Sequence, residues 1–232
     1  MRIKAVIFDL DNTLLDFIKM KKLATKDSAK AMVQAGLKMQ EQEAYRQMRA
    51  FCYKNYRNME SDTAFIKLMK QMSSGNVRVF AAGVHAYNTT RSMHLRPYPQ
   101  VKETLRMLRK RGIRTGVITD APGVKAWQRL FACGIGGYFD VVVTRDDTRR
   151  RKPHQLPFRA AVRKLKLRPN EILFIGDQPH RDIRGARRAG MQTCLAAYGL
   201  QNEFAHYAEK YRADYVIGNV RDILKLVGRK RR

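Results

Sequence analysis

The segment Asp9-Leu10-Asp11-Asn12-Thr13 places two carboxylates two residues apart, directly after a short apolar run. Carboxylate oxygens are ligands that Mg²⁺ prefers in proteins. One carboxylate of such a pair can act as a nucleophile while the other transfers protons. The same residue types are common in polar turns and at helix starts, where they satisfy backbone groups. The pair alone therefore leaves both a catalytic site and an ordinary turn open.

Two weaker signals follow later apolar runs. Thr119-Asp120 comes after Gly116-Val117-Ile118. A hydroxyl and the following backbone amides at a strand-to-helix turn can hold a phosphate, although Thr119 would serve equally as a helix cap. Lys152 follows Val141-Val142-Val143 and could offset the charge of carboxylates and a phosphate. The neighbouring Arg150 and Arg151 compete for that assignment.

A fourth signal is the run Gly176-Asp177-Gln178-Pro179-His180-Arg181-Asp182, which follows the apolar run Ile172 to Ile175. Asp177 is placed to complete the oxygen shell of a magnesium ion. Asp182 could support that shell or cap the helix that follows. We expect His180 to be a loop residue.

Alternation of strands and helices positions these residues. Short apolar runs ending in polar residues predict strands near residues 3–9, 115–119, 141–144, 172–175, 193–197 and 215–217. Helical spacing predicts helices between them, which implies a parallel sheet covered on both faces. Ligands of such sheets bind at the carboxyl ends of the strands. The four polar signals all fall at such ends.

The stretch from Asp16 to about His94 has a different character. Apolar residues recur there at three- and four-residue spacing, and Gly and Pro are scarce, which predicts several amphipathic helices and no strands. We therefore expect an α/β core over residues 1–15 and 96–232, interrupted by an all-helical insertion over 16–95. The aromatics Phe51, Tyr53 and Tyr56 are expected to pack inside this insertion.

Together and in this order, the four signals resemble the motifs of the haloacid dehalogenase-like (HAD) hydrolases: DxDxT, a strand-end Thr, a Lys followed by Pro, and GDxxxxD. The run GDQPHRDIRGARRAGM is similar to the usual continuation in that superfamily. The segments KAVIFDLDNTLLD, LRPYPQVKETLRMLRKRGIRTGVITD and VKAWQRL look closest to archaeal glyceraldehyde-3-phosphate phosphatase-like and phosphoglycolate phosphatase-like proteins. The resemblance implies a Rossmann-like core with a helical cap.

The resemblance also implies a role for each matching position. Asp9 would attack phosphorus and form an aspartyl-phosphate. Asp11 would protonate the leaving oxygen and then activate water. Thr119, Asp120 and Lys152 would hold the phosphoryl group, with Thr119 and Lys152 also catalytic. Mg²⁺ would be bound by Asp9, the Asp11 carbonyl and Asp177, with Asp182 close by.

These roles define a magnesium-dependent phosphatase that hydrolyses phosphate monoesters of small metabolites. A carboxylate at Asp11 argues against a dehalogenase, because a departing halide needs no proton whereas an alkoxide does. A phosphomutase or phosphotransferase shares the nucleophile and remains an alternative. A basic nucleic-acid-binding protein on a hydrolase scaffold is the alternative from a different class.

Composition adds constraints on partners. The 47 Lys and Arg against 20 Asp and Glu leave a net charge of +27, which attracts anions in general. No nucleic-acid-binding motif is visible, so nucleic acid is expected only through non-specific electrostatics. The three cysteines are widely spaced and argue against disulfides or a zinc site. No stretch approaches the roughly 18 apolar residues that span a bilayer, and we expect a cytoplasmic protein with no membrane partner.

Overall fold

The computed structural model describes residues 2–54 and 62–227. The chain divides into two compact units. One contains the residues up to Asp16 and from Pro97 onward, and the other is Phe17–Arg96. No helix in the described ranges combines the length and the apolar character needed to cross a membrane.

The described part of the unit Phe17–Arg96 contains helices and no strands. Its helices are α1 (Phe17–Gln34), α2 (Glu41–Tyr53), α3 (Asp62–Met72) and α4 (Val77–His94). Helix α1 packs along α4 and also against α2. It buries one face whose members recur at three- and four-residue spacing, among them Met20, Ala24, Ser28 and Met32. Tyr56 lies outside the described residues.

A lysine lies inside this helical unit. Lys21 is buried, and its Nζ donates a hydrogen bond of 2.7 Å to the Tyr87 hydroxyl. The same Nζ lies 4.7 Å from the Phe65 ring centroid, within the range of a cation–π interaction. The Tyr87 hydroxyl in turn donates to Asp62, which also pairs with Arg91. A network of buried and partly buried polar groups therefore joins α1, α3 and α4.

The other unit is built on one sheet of six parallel strands. They are β1 (Ala5–Phe8), β2 (Arg114–Ile118), β3 (Val141–Val143), β4 (Ile172–Gly176), β5 (Gln192–Ala196) and β6 (Tyr215–Ile217). The order across the sheet is β3-β2-β1-β4-β5-β6, and Ala5 is paired with both Arg114 and Ile172. The first strand is thus central, with four fully buried residues, as a parallel strand covered on both faces requires.

Helices connect the strands of this unit. They are α5 (Val101–Lys110), α6 (Gly123–Ala132), α7 (Arg145–Thr148), α8 (Gln155–Leu165), α9 (Arg184–Arg188), α10 (His206–Lys210) and α11 (Ile223–Leu226). A core of apolar side chains joins the sheet to α8 and α9, including Ile7, Phe174, Phe158 and Ala186. The predicted α/β class with a parallel sheet is confirmed.

The segment after β4 is helical from its start. It begins with a wide helical turn, Pro179–Ile183, which continues as α9. The chain turns directly after β4 because Asp182 folds back to accept a hydrogen bond from the Gln178 amide at 3.0 Å.

Candidate active site

The loop after β1 forms a tight turn that fixes its polar residues. Asn12 adopts a left-handed backbone conformation (φ 58°), and its amide donates to the Leu15 carbonyl at 2.7 Å. The hydroxyl of Thr13 donates to Asp177 Oδ1 at 3.3 Å, which ties this loop to the loop after β4. The turn therefore fixes the backbone between Asp9 and Leu15.

A third loop, after β5, packs on the same turn. The Tyr198 hydroxyl donates to the Thr13 carbonyl at 2.7 Å. At Gly199, a Cβ atom would lie only 1.7 Å from the Asn12 carbonyl oxygen. Only glycine permits so close an approach of two backbones, so Gly199 is required for this packing.

Three buried carboxylates converge at the ends of β1 and β4. Asp9, Asp177 and Asp182 each have an oxygen within 4.8 Å of the others. Burial raises the pKa of Asp9 to about 6, while Lys152 opposes the shift. Burial and the negative charges of Asp9 and Asp182 raise the pKa of Asp177 well above its ordinary value. The cluster is therefore short of positive charge.

Lys152 is the cation within this cluster. Its Nζ lies 2.6 Å from Asp9 Oδ1 and 2.6 Å from Asp182 Oδ1, and the residue is only 4% exposed. Burial alone would lower the pKa of Lys152, but the carboxylates of Asp182, Asp9 and Asp120 raise it above its ordinary value. Lys152 therefore stays protonated. Arg150, a competitor for this assignment in the sequence, is exposed.

Thr119 and Asp120 follow β2 at the same edge. The Thr119 hydroxyl accepts a hydrogen bond from the Ala121 amide at 3.2 Å. The Asp120 carboxylate accepts from the Lys152 amide at 2.9 Å and pairs with the Arg181 guanidinium. The Asp120 side chain thus binds the segment that carries Lys152, and both residues are buried.

Asp11 is paired with a cation that the sequence analysis did not single out. Its Oδ2 accepts a hydrogen bond from Arg129 of α6, and both side chains are about nine-tenths buried. Arg181, also missed, pairs with Asp120. In a chain with 47 Lys and Arg, two arginines on polar-looking helical segments carry no distinguishing signal.

All seven residues predicted for the site follow strands β1 to β4 of one sheet. Asp9, Lys152, Asp177 and Asp182 lie in one cluster, Asp120 contacts the Lys152 backbone, and Asp11 pairs with Arg129 instead. His180 is half-buried, and its ring lies 4.6 Å from that of Tyr207 and 5.0 Å from that of Phe204.

The cluster fits a divalent cation. Asp177 Oδ2 is buried and, among the described residues, has no hydrogen-bond partner. The edge holds five carboxylates, Asp9, Asp11, Asp120, Asp177 and Asp182, and three cations, Lys152, Arg129 and Arg181. With all groups ionised, two negative charges remain. Carboxylate oxygens are the donors that hard divalent cations take.

Comparison with known proteins agrees with this geometry. The sequence profile of the haloacid dehalogenase-like hydrolase family matches residues 6–196. The chain therefore belongs to the haloacid dehalogenase-like hydrolases, and the family predicted from the sequence motifs is confirmed.

Among individual relatives, a glyceraldehyde 3-phosphate phosphatase of Methanopyrus kandleri is 34% identical over 227 residues, 97% of each chain. A protein of the same name from Pyrococcus furiosus is 32% identical over 99% of this chain and 95% of the relative. The pyrophosphatase PpaX of Oceanobacillus iheyensis is 27% identical over 98% of each chain.

Solved structures agree on the fold. The HAD phosphatase of Thermococcus onnurineus has a TM-score of 0.74 and 26% identity, covering 99% of this chain and all of that one. A HAD-superfamily hydrolase of Geobacter sulfurreducens has a TM-score of 0.66 and 22% identity over 97% of each chain.

Proposed function

We propose that this protein is a phosphatase that hydrolyses phosphate monoesters of small metabolites through an aspartyl-phosphate on Asp9. The observation that carries the proposal is the buried cluster in which Lys152 Nζ lies 2.6 Å from both Asp9 and Asp182. The relatives named as phosphatases support the reaction class.

We further propose Mg²⁺ as the metal of this cluster. Asp9, Asp177 and the Asp11 carbonyl would hold it, with Asp182 close by. Asp177 Oδ2, which has no hydrogen-bond partner among the described residues, supports this assignment. When bound, the ion supplies positive charge to the non-bridging oxygens of the transferring phosphoryl group.

The first half-reaction uses two carboxylates with different roles. An Asp9 oxygen forms a bond to phosphorus as the ester P–O bond breaks. Asp11 gives its proton to the departing alkoxide oxygen. Its contact with Arg129 orients the Asp11 side chain but also favours the carboxylate form, so this step requires that substrate binding weaken the contact.

The second half-reaction reverses the proton transfer. Asp11, now a carboxylate, takes a proton from water as the water oxygen attacks phosphorus. The bond from phosphorus to Asp9 breaks, which releases inorganic phosphate and restores the Asp9 carboxylate. Lys152 and Thr119 hold the phosphoryl group throughout, since fixed positive charge and positioning provide most of the catalysis in phosphoryl transfer.

The helical unit is proposed to act as a cap over the site, with the core formed by residues 1–15 and 96–232 and the cap by 16–95. A cap that excludes water would raise the strength of the electrostatic interactions with the ester. Three-carbon sugar phosphates are proposed as the first substrates to test, in a cytoplasmic setting, because the relatives of 34% and 32% identity are named glyceraldehyde 3-phosphate phosphatases.

The test is release of inorganic phosphate from p-nitrophenyl phosphate, glyceraldehyde 3-phosphate and phosphoglycolate, with Mg²⁺ and with EDTA. We expect release only with the metal. Transfer of the phosphoryl group to a second sugar position, without free phosphate, would identify a phosphomutase. Release that EDTA leaves unchanged would overturn the metal assignment.

A further inference from the structure

A second basic surface lies at the opposite edge of the same sheet. We define the amino-edge surface as Arg2, the segment Lys102–Arg114 with α5, the segment Gly136–Asp140, and the exposed face of α6. Arg2 precedes β1, Arg114 begins β2 and Asp140 precedes β3, so this surface is formed at the amino ends of the strands. The catalytic carboxylates follow the carboxyl ends.

Two adjacent pockets open on this surface. The first, of about 300 Å³, is lined by Arg109, Arg114, Tyr138 and Phe139 among others. The second, of about 320 Å³, is lined by Arg2, Arg111, Ile113 and Val227. The two share Ile113, and each reaches the lower end of the size range of small-ligand sites, roughly 300 Å³.

The surface is strongly positive. Between residues 102 and 114 there are six basic residues and one acidic residue, and five of the basic ones are exposed. The acidic groups nearby already have partners. Glu103 lies 3.9 Å from Arg221, and Asp140 accepts a hydrogen bond of 2.7 Å from the Thr115 amide.

Aromatic residues border the basic ones. Trp127 and Phe131 on α6 stack with ring centroids 5.5 Å apart and are 38% and 69% exposed. The Phe131 ring lies 3.2 Å from where a Cβ of Gly136 would be, and the next residue, Gly137, lines the first pocket. The aromatic pair therefore lies next to the segment that lines the pocket. Where exposed apolar side chains lie side by side in a contiguous patch, the patch can mark an interaction site.

We infer that the amino-edge surface binds single-stranded nucleic acid. Its two components match the two parts of that ligand, because arginines and lysines contact the phosphates while exposed aromatic rings stack with unpaired bases. A duplex presents the same phosphates but keeps its bases stacked inside, so it would leave Trp127 and Phe131 without a partner. The arginines alone would attract any polyanion, and the aromatic pair selects a strand with accessible bases.

The pockets of this surface lie at the end of the strands opposite to the catalytic carboxylates, although α6 also carries Arg129, which pairs with Asp11. A strand rises about 3.3 Å per residue, so the five residue steps along β2 place Arg114 roughly 16 Å from Thr119. An oligonucleotide without a terminal phosphate is therefore expected to bind without inhibiting phosphate release.

Trp127 is the single tryptophan of the chain, so protein fluorescence reports on stacking directly. The probe is an unphosphorylated 12-nucleotide oligo-uridine, compared with a blunt 12-base-pair duplex and with inorganic polyphosphate. We expect the single strand to quench Trp127 fluorescence and to bind most tightly. If polyphosphate binds as tightly as the single strand, or if the single strand binds without quenching, the inference is overturned. Non-specific attraction between the basic protein and any polyanion would then explain the binding.

Variants locate the surface. The double variant Arg106→Glu with Arg109→Glu is expected to weaken binding roughly tenfold or more at 100 mM salt. It should also reduce the slope of log binding constant against log salt concentration by about 1.4, because each phosphate contact on a single strand contributes about 0.7. Arg159→Glu with Arg163→Glu, on the exposed face of α8, makes the same change of charge elsewhere. Equal losses from both pairs would overturn the assignment to this edge.

Phe131→Ala separates stacking from charge. It is expected to weaken binding by roughly fivefold or more, the smallest effect that loss of one base–aromatic stack gives, with the salt slope unchanged. Unaltered affinity in this variant would contradict the role of the aromatic pair. Melting temperatures and phosphate release of all variants establish that they are folded.

Discussion

The two edges of the sheet use the same kinds of charged residue to different effect. At the carboxyl edge, carboxylates outnumber cations, and burial raises the pKa of Asp9 to about 6. At the amino edge, Glu171 faces two cations, and its hydrogen-bonded ion pairs with Lys4 and Arg168 lower its pKa to about 2. Lys4 is 54% exposed, whereas Lys152 is almost completely enclosed.

This comparison indicates that the local balance of charge, together with burial, determines whether a carboxylate is reactive or structural. Glu171 has its charge neutralised by its neighbours and gains stability from being ionised. Asp9 and Asp177 lie where further positive charge is needed, which is the electrostatic requirement of a cation-binding or phosphoryl-transfer site.

The largest effect is expected at the nucleophile. Asp9→Asn should lower kcat by at least roughly a thousandfold, since an amide cannot form the covalent intermediate. The melting temperature should change little, because the substitution removes one of three mutually repelling carboxylates. Steady-state phosphate release and thermal unfolding are the measurements, and near wild-type turnover would refute the mechanism.

Replacing one lysine at each edge with methionine compares the two edges directly. Lys152→Met leaves Asp9 and Asp182 facing each other in a buried site, so it should destabilise the fold by about 3 to 5 kcal/mol and abolish activity. Lys4→Met removes a half-exposed partner of Glu171 and should cost under about 1 kcal/mol, with kcat unchanged. Urea unfolding of both variants measures the difference, and similar losses would refute the contrast.

Arg129 tests how Asp11 is positioned. Arg129→Ala should lower kcat about tenfold, a part of the hundredfold or more that general acid–base catalysis contributes, with a smaller change in KM. Arg129→Lys keeps the charge beside Asp11 and should recover part of the loss. If Arg129→Ala keeps wild-type kcat while losing stability, the residue has a structural role only.

The smallest effect concerns pH at the amino edge. Because the pKa of Glu171 is lowered in the folded state, its stabilisation is complete above the ordinary value of 4.5 and is lost as pH falls towards about 2. Glu171→Gln should therefore melt below the wild type at pH 7, and the gap should shrink between pH 4.5 and 2. A gap that is constant with pH would mean that the carboxylate charge contributes nothing.

Much of the fold could be predicted because strand ends are marked by a change from apolar to polar residues. The apolar run before Asp177 and the DxD segment after β1 are examples, and parallel strands bring such ends to one edge. The choice of Lys152 over Arg150 rested on the family motif, and the structure buries Lys152 while Arg150 is exposed.

Arg129 and Arg181 could not be predicted for a physical reason. An arginine that folds inward to a carboxylate has the same helical spacing as one that faces solvent, and its partner is more than 60 residues away. The same limit applies to Gly199, whose close approach to Asn12 depends on a contact between two loops that the sequence pattern does not encode.

The central position of β1 has a consequence for the growing chain on the ribosome. The neighbours of β1 are β2 and β4, which begin at residues 114 and 172, so the first strand to be made is among the last to be paired on both sides. Unpaired strand edges favour association with other chains. The residue that follows β4 is Asp177, so the second partner of β1 is synthesised immediately before the remaining carboxylates of the cluster. A chain that stops before the end of β4 has Asp9 but neither Asp177 nor Asp182, and it is expected to release no phosphate.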